Sequence, residues 1–449
     1  MLLTAAWRRV LITCLPLCAL WVAVWWVAPS TPSTAPAQPS VRVMASTATA
    51  SQHTAPLRAV IRSGLAAPGG GSFDRFDVPG QPVVAPVNAR GQVAFYATVL
   101  RAPGREGIFI VEAGHVTKVA AYGDAVPGGG TLAGFAADPL PALNAHGHVA
   151  FDAQIAGGRA TEGLFLADDD GLRVIAVAGD DAPGVPAGVL VGFNTPALND
   201  NDEMAFVASV RRGRDTLDVL YFWNGHRLQR LAAEGELLTR IGGTMDKLGE
   251  PALNNTGVVA FPAAILKGPA LGGIFVAGAR TLQLLVGAGD RMPNGAMVLR
   301  FSERLAIDDA GTIAFGAYLG SGDGDTREAV LVHGPAGLSP IAIEGSEAPG
   351  GGRYAGFGPW PTMAPDGTIA FVAALDGGPG PIAAFAGLAG NIARAAAMGE
   401  MLPQGVRIGR FALNAVAAAG GGSSLTFATI GQDETERNAI YCRCASQPR

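Results

Sequence analysis

The chain has 449 residues, 49% of them hydrophobic and 15% charged, with a formal net charge of −5. That balance supplies a large core and excludes the broad basic field needed to hold a nucleic-acid backbone. Its 63 Gly and 31 Pro predict many turns between short strands.

The first element is apolar. Arg8 and Arg9 precede an uncharged stretch from Val10 to Ala28, about the length that spans a bilayer core. Residues 1–28 therefore read as a signal peptide or as an uncleaved signal anchor, with the small residues Ala35–Ala37 offering a cleavage site. Both alternatives export the rest of the chain to the periplasm or cell surface, and the second adds membrane contact through residues 10–28. Trp7, Trp21, Trp25 and Trp26 lie in or beside this segment, which suits a membrane interface rather than a ligand site. Residues 29–56 are rich in Pro, Ser, Thr and Ala and read as a disordered linker.

From residue 57 the chain repeats. The phrase N-x-x-G-x-V-A-F appears as "NARGQVAF" from Asn88, "NAHGHVAF" from Asn144, "NDNDEMAF" from Asn199 and "NNTGVVAF" from Asn254. It continues as "DDAGTIAF" from Asp308 and "APDGTIAF" from Ala364, with a degenerate copy beginning at Asn414. The closing residues Phe95, Phe151, Phe206, Phe261, Phe315, Phe371 and Phe427 are 54 to 56 residues apart. A period this regular predicts seven equivalent units. Each unit adds a second apolar run such as "EGLFLA" and a third ending in a Gly-acid turn such as "VIAVAGDDAPG". A further run precedes the phrase, as in "GFNTPALN". Four short antiparallel strands per unit follow.

Alternation places the phrase within its sheet. Val149 and Phe151 face one way, His148 and Ala150 the other. The second face carries Ala in six copies, where a wetted face would favour polar side chains. Large-faced and small-faced sheets nest in series. The Asn and Gly serve the turn into the strand, by a side-chain hydrogen bond and a positive φ. The chain ends complete this plan. "LRAVIRSGLAAPGGG" from Leu57 supplies only an outer strand and its exit turn, and "NAIYCRC" up to Cys444 supplies only the strand beside it. The expected fold is all-β: a seven-bladed β-propeller of four-stranded antiparallel blades over residues 57–444, closed by the N-terminal strand. An N-terminal hydrophobic helix precedes it and a 445–449 tail follows. Cys442 and Cys444 read as a solvent-near pair at the end of a strand, with no disulfide framework and no zinc site.

The repeats resemble bacterial exported proteins with tandem N-x-x-G-x-x-A-F repeats and varied terminal anchors, over residues 57–444. That resemblance implies an exported, propeller-like protein and transfers no activity. Asp202 in place of Gly, Ala364 in place of Asn and the degenerate seventh copy depart from it.

Two features mark the face that carries the blade-joining turns. Asp124, Asp180 and Asp290, with Glu236 and Glu400, recur in the Gly-acid turns, either as a ligand-attracting rim or as caps of their own turns. Arg211, Arg212 and Arg214 form a basic loop found in the third unit alone, suited to a carboxylate, a phosphate or an acidic polysaccharide, or else simply a solvated hairpin tip. Asp323 and Asp325 in the fifth unit lack the ligand frame of a calcium loop. No metalloprotease, nucleophile-elbow or phosphate-loop motif is present, so no catalytic residue, metal or cofactor is assigned. The reading is a binding or scaffold module for a protein or glycan ligand at the bacterial envelope. The alternative is an envelope glycan hydrolase or lyase with its site at the central channel.

Overall fold

The computed structural model describes residues 57–444 except 79–83, 136–138, 279–280, 321–323, 403–404, 406, 420–423 and 431–437. The expected N-terminal helix, the linker and the C-terminal tail lie outside the described residues. Among the described residues no helix is long and apolar enough to cross a membrane.

The molecule is an all-β propeller. Six blades are built from consecutive strands, spanning 72–121, 131–177, 188–233, 244–287, 297–343 and 353–397. Blade 3 shows the plan. An inner strand Gly188–Phe193, continued by Ala197–Leu198, pairs with Met204–Arg212; that strand pairs with Asp215–Trp223, which pairs in turn with the outer strand Leu228–Ala233. All pairings are antiparallel. A further four-stranded sheet joins Arg410–Ala419, Ser424–Ile430 and Ala439–Arg443 to Arg58–Arg62 from the start of the fold. The expectation of seven equivalent blades is thereby corrected to six of one plan. The chain-end sheet is made differently: its outer strand comes from the other end of the chain, and its inner pairing slips register between Phe411 and Val416.

Closure is explicit. Arg58 pairs with Cys442, Ala59 with Tyr441, Ile61 with Ile440 and Arg62 with Ala439. Ile61, Ile440 and Tyr441 share one buried cluster with Ala384 and Ala396 of blade 6 and Phe73, Phe95 and Phe109 of blade 1. The chain-end sheet thus fills the gap between the last and first blades.

The nesting of small on large faces is as the alternation implies. Ala150 packs in one cluster with Phe206 and Tyr221 of the next blade, and Ala205 with Phe261 and Phe275. Ala260 meets Phe315 in the same way, and Ala314 meets Phe371 and Phe385. Within blades 1 to 4 and 6, the phrase Phe lies opposite an aromatic on the next strand, and in blade 5 Phe315 lies opposite Leu331. Phe151 stacks on Phe165 at 5.4 Å, Phe261 on Phe275 at 5.6 Å and Phe371 on Phe385 at 5.4 Å. Each such ring stabilises by roughly 1.5–3 kcal/mol on burial.

The cysteines differ from expectation. Cys442 and Cys444 are disulfide-bonded, with Cα atoms 5.3 Å apart, and both are buried. Cys444 lies just past the strand end at Arg443, so the pair is not held at full strand spacing. The packed closing sheet keeps it from solvent.

Candidate functional site: the axial channel

The N-x-x-G turns line one mouth of the channel. Asn144 Oδ1 accepts from the backbone N–H groups of His146 and His148, both at 3.0 Å. Gly147, Gly91 and Gly257 hold positive φ at the tight point of their turns. Sequence reasoning missed the second role of the Asn. Its Nδ2 donates to the backbone carbonyl of the equivalent residue in the next blade: Asn88 to Asn144 at 2.9 Å, Asn144 to Asn199 at 3.1 Å, Asn199 to Asn254 at 3.1 Å, and Asn254 to Asp308 at 3.0 Å. The arc stops where the motif departs, because Asp308 lacks the amide and Ala364 lacks any donor. A second line of bonds runs beside it. Ala145 N–H donates to Asp200, the Asp200 N–H to Asn255, and the Asn255 N–H to Asp309.

Asp202, in the Gly position of blade 3, has φ +60°, a conformation that Asp tolerates better than most residues. Its carboxylate takes the Asn144 amide at 2.8 Å and faces His148 Nδ1 at 2.7 Å. The substitution therefore serves the junction between blades 2 and 3.

The channel wall is built by the P-A-L-N segments that follow each inner strand. It encloses about 450 Å³ at the Asn mouth and about 270 Å³ beyond it. Along this wall three positions repeat: Pro141, Pro196, Pro251 and Pro361; then Ala142, Ala197 and Ala252; then Leu143, Leu198 and Leu253. The position before these residues, which in blade 5 precedes Leu305 rather than a proline, changes in every blade. It holds Leu140, Thr195, Glu250, Arg304 and Trp360 in blades 2 to 6. The layers after it keep apolar or small residues, whereas this one runs from aliphatic to charged to aromatic, which marks it as released from the packing rule and available for recognition.

These side chains converge on one cation. Arg304 donates from Nη2 to Thr195 Oγ1 at 3.0 Å, across the channel from blade 5 to blade 3. The same nitrogen is 3.8 Å from Glu250 Oε1, and the guanidinium carbon lies 4.9 Å from the Trp360 ring centre. Both Arg304 and Glu250 are largely shielded from bulk solvent, which strengthens their field. Behind them Asp152, only 5% exposed, has its carboxyl pushed up to about 7. Burial is the main cause, with Glu162 and then Glu250 adding repulsion and Arg304 opposing. Burial also raises the pKa of Glu162, against the pull of the Phe193 N–H, which its Oε1 accepts at 2.8 Å, tying blade 2 to blade 3. The signal for this layer was present in the sequence, in the column before P-A-L-N and its variants Leu305–Asp308 and Pro361–Ala364, where the chemistry changes most.

The sequence-predicted residues lie elsewhere. Asp124 takes the Ala121 N–H and the Lys118 ammonium. Asp290 takes the Gly287 N–H, and Glu400 takes that of Ala397. Asp180 pairs with Arg159 at 2.9 Å. Each carboxylate thus serves its own turn or a neighbouring hairpin, and the structure does not bring them together in a site. Arg211, Arg212 and Arg214 are exposed at a hairpin tip, away from the channel lining. Asp323 lies outside the described residues, and among the described residues no cluster of metal-ligating side chains occurs.

The fold is similar to TolB from Acinetobacter baumannii at 12% identity, TM-score 0.33, covering 66% of this chain and 63% of that one. It is similar to a puromycin-hydrolyzing peptidase of Mycobacterium tuberculosis at 14% identity, TM-score 0.45, covering 82% and 54%. The chain thus spans less than two thirds of either protein. An Aleuria aurantia lectin in complex with Fucalpha1-6GlcNAc matches at 12% identity, TM-score 0.34, covering 72% and 96%. No ligand or activity is carried over from these. No curated protein sequence matches the chain. The family of unknown function DUF7453 matches residues 99–272 and again 253–446, and with most of the propeller so covered, this chain belongs to that family.

Proposed function

We propose that the protein is an exported binding module whose ligand enters the axial channel and is held at the layer of Thr195, Glu250, Arg304 and Trp360. The observation that carries this reading is the convergence of Thr195, Glu250 and Trp360, from three blades, on Arg304 across the channel. A guanidinium, a carboxylate and a hydroxyl within reach of one another suit a polyhydroxylated ligand such as a short glycan. The indole adds an apolar face for a sugar ring. The chain-end sheet acts as the seventh blade in this proposal, and export to the periplasm or cell surface rests on the character of residues 1–28. Kinship with the exported N-x-x-G-x-x-A-F proteins belongs to the same proposal.

The enzymatic alternative, a hydrolase or lyase acting on envelope glycans, is favoured by one observation, the Asp152 carboxyl raised to about 7. A pair of working carboxylates would have to share the channel surface. Glu250 is on that wall and Asp152 is not among its lining residues, so binding is the better-supported reading.

A binding screen of a glycan panel and of the small-molecule fraction of a bacterial envelope extract tests the proposal, comparing the natural chain with Arg304→Ala and Trp360→Ala. Bound species should lose affinity by about tenfold or more in each variant, the size of a lost charged hydrogen bond or aromatic contact, in protein that remains folded. Ligands that bind both variants as tightly as the natural chain would contradict the channel assignment. Turnover of a bound glycan, abolished by Glu250→Gln, would favour the enzyme.

A further inference from the structure

The face carrying the blade-joining turns has a second irregularity, in blades 3 and 4 together. Leu237, Leu266 and Leu271 are 72%, 51% and 84% exposed. Leu237 sits in the turn from blade 3 to blade 4, at a position held by Ala66, Ala125, Asp181, Arg291, Glu347 and Met401 in other turns. Leu266 and Leu271 bound the hairpin loop of blade 4. The two loops touch: a Cβ on Gly243 would meet the Leu266 carbonyl and the Gly268 backbone, and one on Gly242 would meet Pro269. These leucines are therefore not isolated exposures but loop tips set side by side.

Cations surround them. Arg211, Arg212 and Arg214 occupy the neighbouring blade 3 hairpin, Arg240 the same turn as Leu237, and Lys267 the same loop as Leu266. All five are exposed, and none forms an ion pair among the described residues. Asp215 is the one exposed acid within these three loops. In a chain of net charge −5, five cations on three adjacent loops are a local inversion of the overall field.

We infer that this patch docks the propeller on an anionic lipid surface. Convex apolar tips insert among headgroups and acyl boundaries, while surrounding Arg and Lys gain from the negative potential of the leaflet. The protruding geometry favours a membrane over a protein partner, which fills concave pockets with buried anchors. This surface lies apart from the channel, so ligand binding and lipid docking are separable.

Vesicle flotation of the compact unit, residues 53–449, tests the inference. Phosphatidylcholine vesicles are compared with vesicles containing phosphatidylglycerol, and dextran sulfate serves as a soluble polyanion. The unit should float with the anionic vesicles and not with the neutral ones. The triple variant Arg211→Glu, Arg212→Glu, Arg214→Glu should weaken that binding by at least about tenfold, since each cation near the surface contributes. Leu271→Asp should weaken it as well, while Arg227→Glu, on the opposite face of blade 3, should leave it unchanged. Flotation with neutral vesicles to the same extent, binding retained by both patch variants, or capture by dextran sulfate without vesicle binding would each overturn the assignment.

Discussion

The Asn254 amide spans two blades: its Nδ2 donates to the Asp308 carbonyl at 3.0 Å, while its Oδ1 accepts from the Thr256 and Val258 N–H groups at 3.1 and 2.9 Å. One buried side chain therefore closes its own turn and fastens the next blade. The same pairing runs from Asn88 through Asn199.

Separate variants should resolve the two roles. Asn254→Ala removes both and leaves a buried carbonyl and N–H groups unsatisfied, at a cost of about 1–3 kcal/mol. Asn254→Asp keeps the acceptor but sets a buried carboxylate oxygen against the Asp308 carbonyl in place of the inter-blade donor, so it should cost at least as much as Asn254→Ala. Urea denaturation midpoints measure both. An Asn254→Asp variant as stable as the natural chain would remove the inter-blade role.

The phrase Phe should resist polar replacement. Phe261 is fully buried against Phe275 and Ala205 of the preceding blade. Phe261→Ala should cost about 3–5 kcal/mol, and Phe261→Asp should abolish soluble folded protein. A soluble Phe261→Asp variant with unchanged melting would show that this ring is not at a blade interface.

Asp152 makes stability depend on pH in a definite direction. Its folded pKa of about 7 lies above the ordinary carboxyl value of about 3.9. Between about pH 4 and pH 7 the folded chain keeps a proton that the unfolded chain releases, so this contribution is largest at the acid end and is lost as pH rises towards 7. The raised Glu162 acts in the same sense. Asp152→Asn should therefore gain on the natural chain progressively across that window and level off above it. Urea midpoints from pH 4 to pH 8 provide the measurement, and a constant difference between the two proteins would contradict the assignment.

The period of 54 to 56 residues and the Ala/Phe alternation carried most of the fold, because both record contacts made identically in every blade. The chain-end pairing was legible for the same reason: two partial units add up to a whole one. Convergence on Arg304 was not legible. Thr195 and Arg304 are 109 residues apart, and only the ring brings blades 3 and 5 across one channel. The carboxylates of the Gly-acid turns allowed two readings because local capping and a ligand rim require the same residue type at the same place. The leucines around Gly243 were passed over because their exposure depends on two loops from different blades meeting.

The central claim is a ring closed by its own chain ends, and a cross-link tests it most directly. Arg62 and Ala439 are paired across the closing sheet, a spacing compatible with a disulfide. Arg62→Cys and Ala439→Cys, introduced into residues 53–449 with Cys442 and Cys444 replaced by alanine, should form that bond on oxidation of the folded protein and raise its melting temperature. Two free thiols in folded, oxidised protein would show that the ends do not meet and would contradict the closed propeller.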